Sequence, residues 1–282
     1  MCRCPLCKSN RFIIREKIAT ETLIRDYMGL MDVSEHFKNI QEISMNECVN
    51  CRLVYFYPGV EGNDSFYRKL SEQPYYYMED KAEFHYAIEK LIEINPKNVL
   101  EVGSGIGLFL DKIRNAYNVS AIETSSKALE VLKEKKIRLD DGESKYEFII
   151  LFQVIEHISD VKDFISNILN RLEVNGHLLI TVPNSESEYM REVYQVLDCP
   201  PHHVTRWSKK ALESIAKLFD LEVSDYYEEF LSDIHYEQLI TRRMNSVKKN
   251  INEQNLNFNY TINLNQNRGA GHTHGILFKK LK

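Results

Sequence analysis

The sequence predicts an α/β fold: a parallel β-sheet with helices on both faces, preceded by a small cysteine-bearing module. Three observations carry that expectation. From about residue 96 onward, short apolar runs alternate with amphipathic helical segments, the pattern of a parallel sheet covered on both sides. The first of those runs, Val99-Leu100-Glu101-Val102, opens into a loop with glycines at 103, 105 and 107. Such a strand–loop–helix unit lets backbone N–H groups approach a ligand with no Cβ in the way. Ahead of it stand two C-x-x-C knuckles, Cys4-Pro5-Leu6-Cys7 and Cys48-Val49-Asn50-Cys51.

With 282 residues, 43% of them hydrophobic, the chain can bury one substantial core and still carry an appended module. The formal net charge is −5, and only the last few residues form a basic run. That excludes a broad electrostatic footprint for nucleic acid and favours a small-molecule substrate. No signal-like N-terminal segment and no run of 18 apolar residues is present, so the expectation is a cytoplasmic protein with no membrane partner. Oligomeric state is not legible.

The elements divide into three stretches. Residues 1–60 form the cysteine module. Paired C-x-x-C turns present four soft thiolates from two tight loops, the ligand set of a closed tetrahedral zinc site held by Cys4, Cys7, Cys48 and Cys51. The 40 residues between Cys7 and Cys48 exceed a simple ribbon, so an insertion must loop out. Cys2 is a substitute ligand at most, and Cys199 reads as a packed small residue. Leu53-Val54-Tyr55-Phe56-Tyr57 is a strand closed by the Pro58-Gly59 turn.

Residues 61–95 read as a helical, tyrosine-rich connector, and 96–282 as the α/β domain. Strands are expected near 98–102, 119–123, 148–152, 177–182 and 221–227, with helices near 108–117, 126–135, 161–172 and 209–218. Only a short strand fits around Lys136-Ile137-Arg138-Leu139. Ser208 is a sound N-cap for 209–218.

The glycine spacing separates two kinds of nucleotide loop. A G-x-G-x-x-G fingerprint would put its third glycine where Leu108 stands; the chain has E-x-G-x-G-x-G instead. Here it resembles the class I S-adenosylmethionine (SAM) methyltransferases, which implies a Rossmann-like class I methyltransferase sheet and SAM as cofactor. Glu123 ends the next apolar run 22 positions after Glu101 and suits the acid that accepts both ribose hydroxyls. The resemblance assigns cofactor contacts to Glu101, Gly103, Ser104, Gly105, Gly107, Glu123 and Gln153. It also implies that the Tyr75-Tyr76-Tyr77 segment, Tyr76 in particular, closes over SAM, where cation–π attraction is available.

Two later signatures, Glu156-His157 after the strand ending at Phe152 and Pro183-Asn184 after the next, are similar to those of sugar and small-molecule methyltransferases. Gln153-Val154 replaces the acidic or amide Pro-Pro-Tyr sequence of amine methyltransferases. Then comes Cys199-Pro200-Pro201-His202-His203-Val204-Thr205-Arg206. The near-neutral pKa of histidine suits a general base, so His202 or His203, with His157 as the alternative, is the catalytic candidate. Arg206 suits an anionic group on the acceptor, and Asn184 is a second substrate-binding candidate. His272 and His274 read as a strand-start turn.

Taken with the resemblance, these residues imply methyl transfer from SAM to a small acceptor. A sugar, sugar nucleotide or phosphorylated metabolite of a bacterial surface-polysaccharide or secondary-metabolite pathway is expected. By the same resemblance, the final two strands form an antiparallel hairpin interrupted by an insertion at 228–271. The alternatives are a zinc-module RNA methyltransferase and a non-catalytic SAM-binding scaffold. Residues 1–60 carry 8 Lys and Arg against 7 Asp and Glu, a surplus of +1, too small for a phosphate-binding module.

Overall fold

The structure, a computed structural model, describes residues 2–74, 76–250 and 269–282. The N-terminal stretch contributes β1 (Phe12–Ala19), α1 (Thr20–Tyr27), β2 (Glu42–Cys48) and β3 (Val54–Tyr57). α2 (Asp64–Leu70) and α3 (Ala82–Ile94) follow, then β4 (Asn98–Val102), α4 (Leu108–Ile113), β5 (Asn118–Ile122), α5 (Ser126–Glu134) and β6 (Arg138–Leu139). The remainder is β7 (Tyr146–Phe152), α6 (Val161–Arg171), β8 (Leu172–Pro183), α7 (Glu188–Glu192), β9 (Thr205–Arg206), α8 (Lys209–Phe219), β10 (Leu221–Phe230), α9 (Asp233–Asn250) and β11 (Ala270–Lys280).

The larger sheet has the order β10-β11-β8-β7-β4-β5-β6. β8 through β6 run parallel, whereas β11 lies antiparallel to both β8 and β10. This is the expected class I methyltransferase sheet. The thin third strand is as short as its sequence allowed: β6 has two residues.

Strand side chains alternate faces, and the core divides accordingly. On one face Leu100, Ile149, Leu151, Leu178 and Ile180 meet Ile165 of α6 and Leu212 and Ile215 of α8. On the other, Val99, Phe148, Ile150 and Leu179 meet Phe84 and Leu91 of α3 and Phe109 and Leu110 of α4. Each fully buried side chain of this kind contributes about 1.5–3 kcal/mol. Ser208 caps α8 as expected, accepting from Ala211 N at 3.1 Å.

The cysteine module is not set apart in space. Its sheet has the order β1-β2-β3-β9, so β3 pairs with a strand that follows the histidine loop. Cys4, Leu6, Cys48 and Leu53 belong to the same apolar cluster as Ile155, Trp207 and Leu212. The segment looped out between the knuckles is largely β1, α1 and a short 3-10 turn at Ser34–Phe37, and α1 packs through Leu23 and Tyr27 onto Phe66 and Cys199.

Three expectations are corrected. Residues 61–95 are helical as expected, in two pieces, but Tyr76 and Tyr77 occupy the turn between α2 and α3 rather than a helix, and Tyr75 lies outside the described residues. His272 and His274 lie inside β11, which starts at Ala270. The 228–271 insertion begins within β10 and contains α9; residues 251–268 lie outside the described residues. Among the described residues no helix is long and apolar enough to cross a membrane.

Candidate active site and thiol centre

Ligands of open α/β sheets lie beyond the carboxyl ends of the strands, and the loops after β4, β5 and β7 all converge there. They line one cavity of about 720 Å³. Its two ends differ in chemistry.

At the first end stand the glycine loop, Glu101 and Glu123. Glu123 Oε2 accepts from Gly105 N at 2.7 Å, while Oε1 accepts from the backbone N–H groups of Thr124 (2.7 Å) and Ser125 (2.8 Å). The carboxylate is therefore fixed at the strand end before any ligand arrives. Glu101 is 4% exposed, and its Oε2, like Ser104 Oγ, has no hydrogen-bond partner among the described residues. Burial pushes the Glu101 carboxyl well above the usual carboxylate range. Gly105 has φ +53, and a Cβ there would come within 2.8 Å of the Tyr77 ring.

Gln153 lines the middle of the cavity with a left-handed backbone, φ 56. Its Nε2 donates to Glu83 Oε2 at 2.9 Å, and the Thr181 hydroxyl donates to the same oxygen. Glu83 is 3% exposed with Lys81 Nζ 3.7 Å away. Sequence reasoning passed over Glu83, because an acid in the first turn of a helix looks like ordinary dipole complementation.

The second end is histidine-rich. His157 Nδ1 lies 2.7 Å from the carbonyl of His202, His202 Nδ1 lies 2.9 Å from the carbonyl of Leu197, and His203 Nδ1 lies 3.2 Å from Asp198 Oδ1. Burial pushes the His157 pKa down to about 4 and holds His202 and His203 well below the usual imidazole value. All three are therefore neutral near pH 7. Glu156 lines this end too, 1% exposed, with neither carboxylate oxygen partnered among the described residues. α9 supplies part of the wall: His235 stacks on Tyr189 with ring centroids 4.3 Å apart.

Three sequence candidates do not line the cavity, and a fourth, Tyr76, does. Arg206 turns away from the cavity: its Nε and Nη2 donate to the Asp198 carbonyl at 3.2 and 3.0 Å, and its guanidinium lies 5.3 Å over the Phe56 ring. Asn184 is 2% exposed and holds the loop after β8, donating to Glu228 Oε2 at 3.2 Å and accepting from Glu186 N at 3.1 Å. Gly107, at φ +74, packs away from the cavity, where a Cβ would meet Ile137 at 2.6 Å and Leu132 at 2.8 Å. Tyr76 does line the cavity, but Tyr77 is the ring that lies against Gly105.

Residues 72–226 match the family described as "Methyltransferase domain", more than half of the chain. The chain belongs to that methyltransferase family. It is 26% identical to the ubiquinone biosynthesis O-methyltransferase of Rickettsia canadensis over 161 residues, covering 51% of this chain and 66% of the relative. To the enzyme of the same name from Rickettsia bellii it is 24% identical over 166 residues, covering 54% and 65%. The chain thus spans just under two thirds of these relatives' length. A solved SAM-dependent methyltransferase from Clostridium acetobutylicum is 14% identical, with a TM-score of 0.46 over 77% of this chain and 96% of the other.

The methyltransferase cavity fits SAM, the family's cofactor. Its glycine end offers a cradle that a Cβ would fill, and the unpartnered carboxylate of Glu101 suits the ammonium of the methionine moiety.

The two knuckles, packed in the cluster that holds Ile155 and Trp207, are built alike. Cys4 N donates to Ser9 O at 2.8 Å and Lys8 N to Cys4 O at 2.9 Å; Cys48 N donates to Leu53 O at 2.9 Å and Arg52 N to Cys48 O at 3.0 Å. Lys8 and Arg52 both take left-handed φ, 57° and 64°. Cys4 Sγ is 3.4 Å from Cys51 Sγ, Cys7 Sγ is 3.4 Å from Cys48 Sγ, and all four sulfurs lie within 4.8 Å of one another. A tetrahedral ion with Zn–S bonds of about 2.3 Å sets its sulfurs roughly 3.8 Å apart, so the cluster is compatible with zinc.

Proposed function

We propose that this protein methylates a hydroxyl of a small polar acceptor, with a sugar or sugar nucleotide as the favoured class, using SAM as donor. One observation carries the reading: a single cavity joins a glycine-loop end, with a fixed Glu123 and an unpartnered Glu101, to an end lined by neutral histidines. The relatives named O-methyltransferases support oxygen as the acceptor atom. Tyr189, Gln195, Asp198 and His272 add hydrogen-bonding groups that suit a polyhydroxylated molecule. Arg206 is engaged elsewhere and gives no support for a phosphate on the acceptor, whether in a phosphorylated metabolite or in a sugar nucleotide.

When bound, SAM supplies an activated methyl group on sulfur. Glu123 would accept from the ribose hydroxyls and Glu101 would face the ammonium, with the Tyr77 ring against Gly105. Holding donor and acceptor collinear can contribute roughly 7–11 kcal/mol to the rate. The bare ring nitrogens of His157, His202 and His203 orient the acceptor hydroxyl. In the cysteine module, Cys4, Cys7, Cys48 and Cys51 hold one structural zinc with no open position for substrate.

Calorimetric titration with S-adenosylhomocysteine, on the parent and on Glu123→Ala, tests the donor end. Transfer of labelled methyl from SAM to a panel of sugar nucleotides and phenols tests the acceptor. Tight binding by the parent and loss in the variant are expected. Equal binding by both would move the cofactor elsewhere, and transfer to phenols alone would overturn the sugar class.

A further inference from the structure

We infer that His157, His202 and His203 form a second metal site, separate from the thiol centre, that takes a divalent transition-metal ion at the acceptor end of the cavity. One ring nitrogen of each lies within 4.8 Å of those of the other two. The partners of Nδ1 decide which nitrogen is free. A carbonyl oxygen can only accept, so His157 Nδ1 donates to His202 O at 2.7 Å and His202 Nδ1 donates to Leu197 O at 2.9 Å. His203 Nδ1 donates in the same way to the Asp198 carboxylate at 3.2 Å. In a neutral imidazole a donating Nδ1 makes Nε2 the lone-pair nitrogen, although the His157 ring also has the Gln153 carbonyl beside it.

Backbone carbonyls and a carboxylate behind the ring are the usual outer support of a metal-bound histidine, because they set ring orientation and raise ligand basicity. Three neutral imidazoles brought together without a proton to share repel one another, and a cation removes that repulsion. Metal–nitrogen bonds of about 2.1 Å place nitrogens roughly 3.4 Å apart, and the His202 and His203 rings, stacked with centroids 4.4 Å apart, would have to turn out of their stack to converge on one ion. Next to them Glu156 is buried with both oxygens unpartnered among the described residues, a polar group left without a hydrogen bond beside the three rings. Three imidazoles favour a zinc-, iron- or cobalt-like ion over magnesium, and three protein ligands leave positions open.

The role of the ion rests on the methyl transfer proposed above; its binding does not. An ion in this place acidifies an acceptor hydroxyl beside it. The O–H bond then breaks with its proton passing to solvent, and the oxygen's electron pair forms the bond to the methyl carbon. The pair of the breaking sulfur–carbon bond stays on sulfur, and the ion's oxidation state does not change.

The test uses the full chain with its thiol centre filled by zinc, titrated with Co²⁺ and followed by visible absorption. One equivalent should bind with ligand-field bands and no thiolate-to-cobalt charge transfer. His202→Asn and His203→Asn should weaken binding at least 100-fold while S-adenosylhomocysteine still binds, which reports an intact fold. Asp198→Asn, which keeps every imidazole, should weaken it about 10–100-fold, and it reads the site if a histidine variant does not fold. A parent that takes no cobalt beyond the thiol centre, or an Asp198→Asn variant that binds like the parent, overturns the site. Cobalt binding without methyl transfer to any acceptor would refute the proposed function and leave the metal site standing.

Discussion

The Tyr27 hydroxyl donates to the backbone carbonyl of Cys199 at 2.9 Å, tying α1 to a loop 172 residues later in the chain. Cys199 O also accepts from the backbone N–H groups of His202 (3.1 Å) and His203 (3.2 Å). The helix looped out between the two cysteine knuckles therefore braces the turn that presents the histidines. Tyr27→Phe removes the brace and keeps the ring in its apolar setting. We expect a loss of about 1 kcal/mol in stability and faster amide exchange at His202 and His203, with S-adenosylhomocysteine affinity unchanged. Unaltered exchange in that loop would show that the brace is redundant.

The glycines at 105 and 107 should fail in different ways. A side chain at 105 runs into Tyr77 at the cavity, so Gly105→Val is expected to abolish cofactor binding with a modest change in melting temperature. A side chain at 107 runs into Leu132 and Ile137 in the core and must also adopt φ +74. Gly107→Ala should cost at least about 1–2 kcal/mol from the left-handed backbone alone. Cofactor titration beside thermal melts of the two variants separates these outcomes.

Arg206 is expected to behave as a structural residue. Its guanidinium donates to the Asp198 carbonyl and to Cys199 Sγ and lies over Phe56. Arg206→Ala should lower stability by about 1.5–3 kcal/mol, the range for hydrogen bonds made by charged groups. Once an acceptor is known, the Michaelis constant for it should stay within a few-fold of the parent. A large rise in that constant with an unchanged melting curve would return Arg206 to the substrate.

Metal analysis should find zinc at the thiol centre, and Cys48→Ser should lose it. Because Cys48 shares a buried cluster with Trp207 and Leu212, the melting temperature should fall for the whole molecule in one transition. Two separate transitions would mean that the module unfolds by itself.

His274 sets a pH dependence. Its side chain is fully buried against the Tyr226 hydroxyl at 2.8 Å, and burial pushes its pKa down to about 4. Between pH 6.5 and 4 the unfolded chain binds a proton that the folded chain refuses, so stability falls as pH drops through that window. The full contribution is about 3 kcal/mol, absent near neutrality and complete below pH 4. Urea unfolding at pH 7 and pH 4.5 should show a smaller acid loss in His274→Gln than in the parent. Equal losses would assign the acid sensitivity to other groups.

Most of the larger sheet was legible because its signals are local. The apolar run into Glu101, the acid at Glu123 and the Ser208 cap each depend on a few neighbouring residues, and each stands where the sequence put it. The histidine cluster was legible as chemistry but not as geometry, since the partners of His157 and His202 are backbone carbonyls, which leave no mark in a sequence. Arg206 and Asn184 misled for a related reason. A polar side chain in a loop beyond a sheet looks available for ligand until the fold shows which carbonyl or carboxylate already holds it. Glu83 escaped notice because its partners, Gln153 and Thr181, lie 70 and 98 residues away.

The pairing of β3 with β9 has a consequence for the order in which the molecule is made. All four knuckle cysteines, the last of them Cys51, are translated well before Thr205 and Arg206. The strand beside them cannot complete its edge until Thr205 and Arg206 emerge, after most of the larger sheet has been synthesised. The four thiols are thus made long before the strand that closes their sheet, and until that strand emerges the edge of β3 stays exposed.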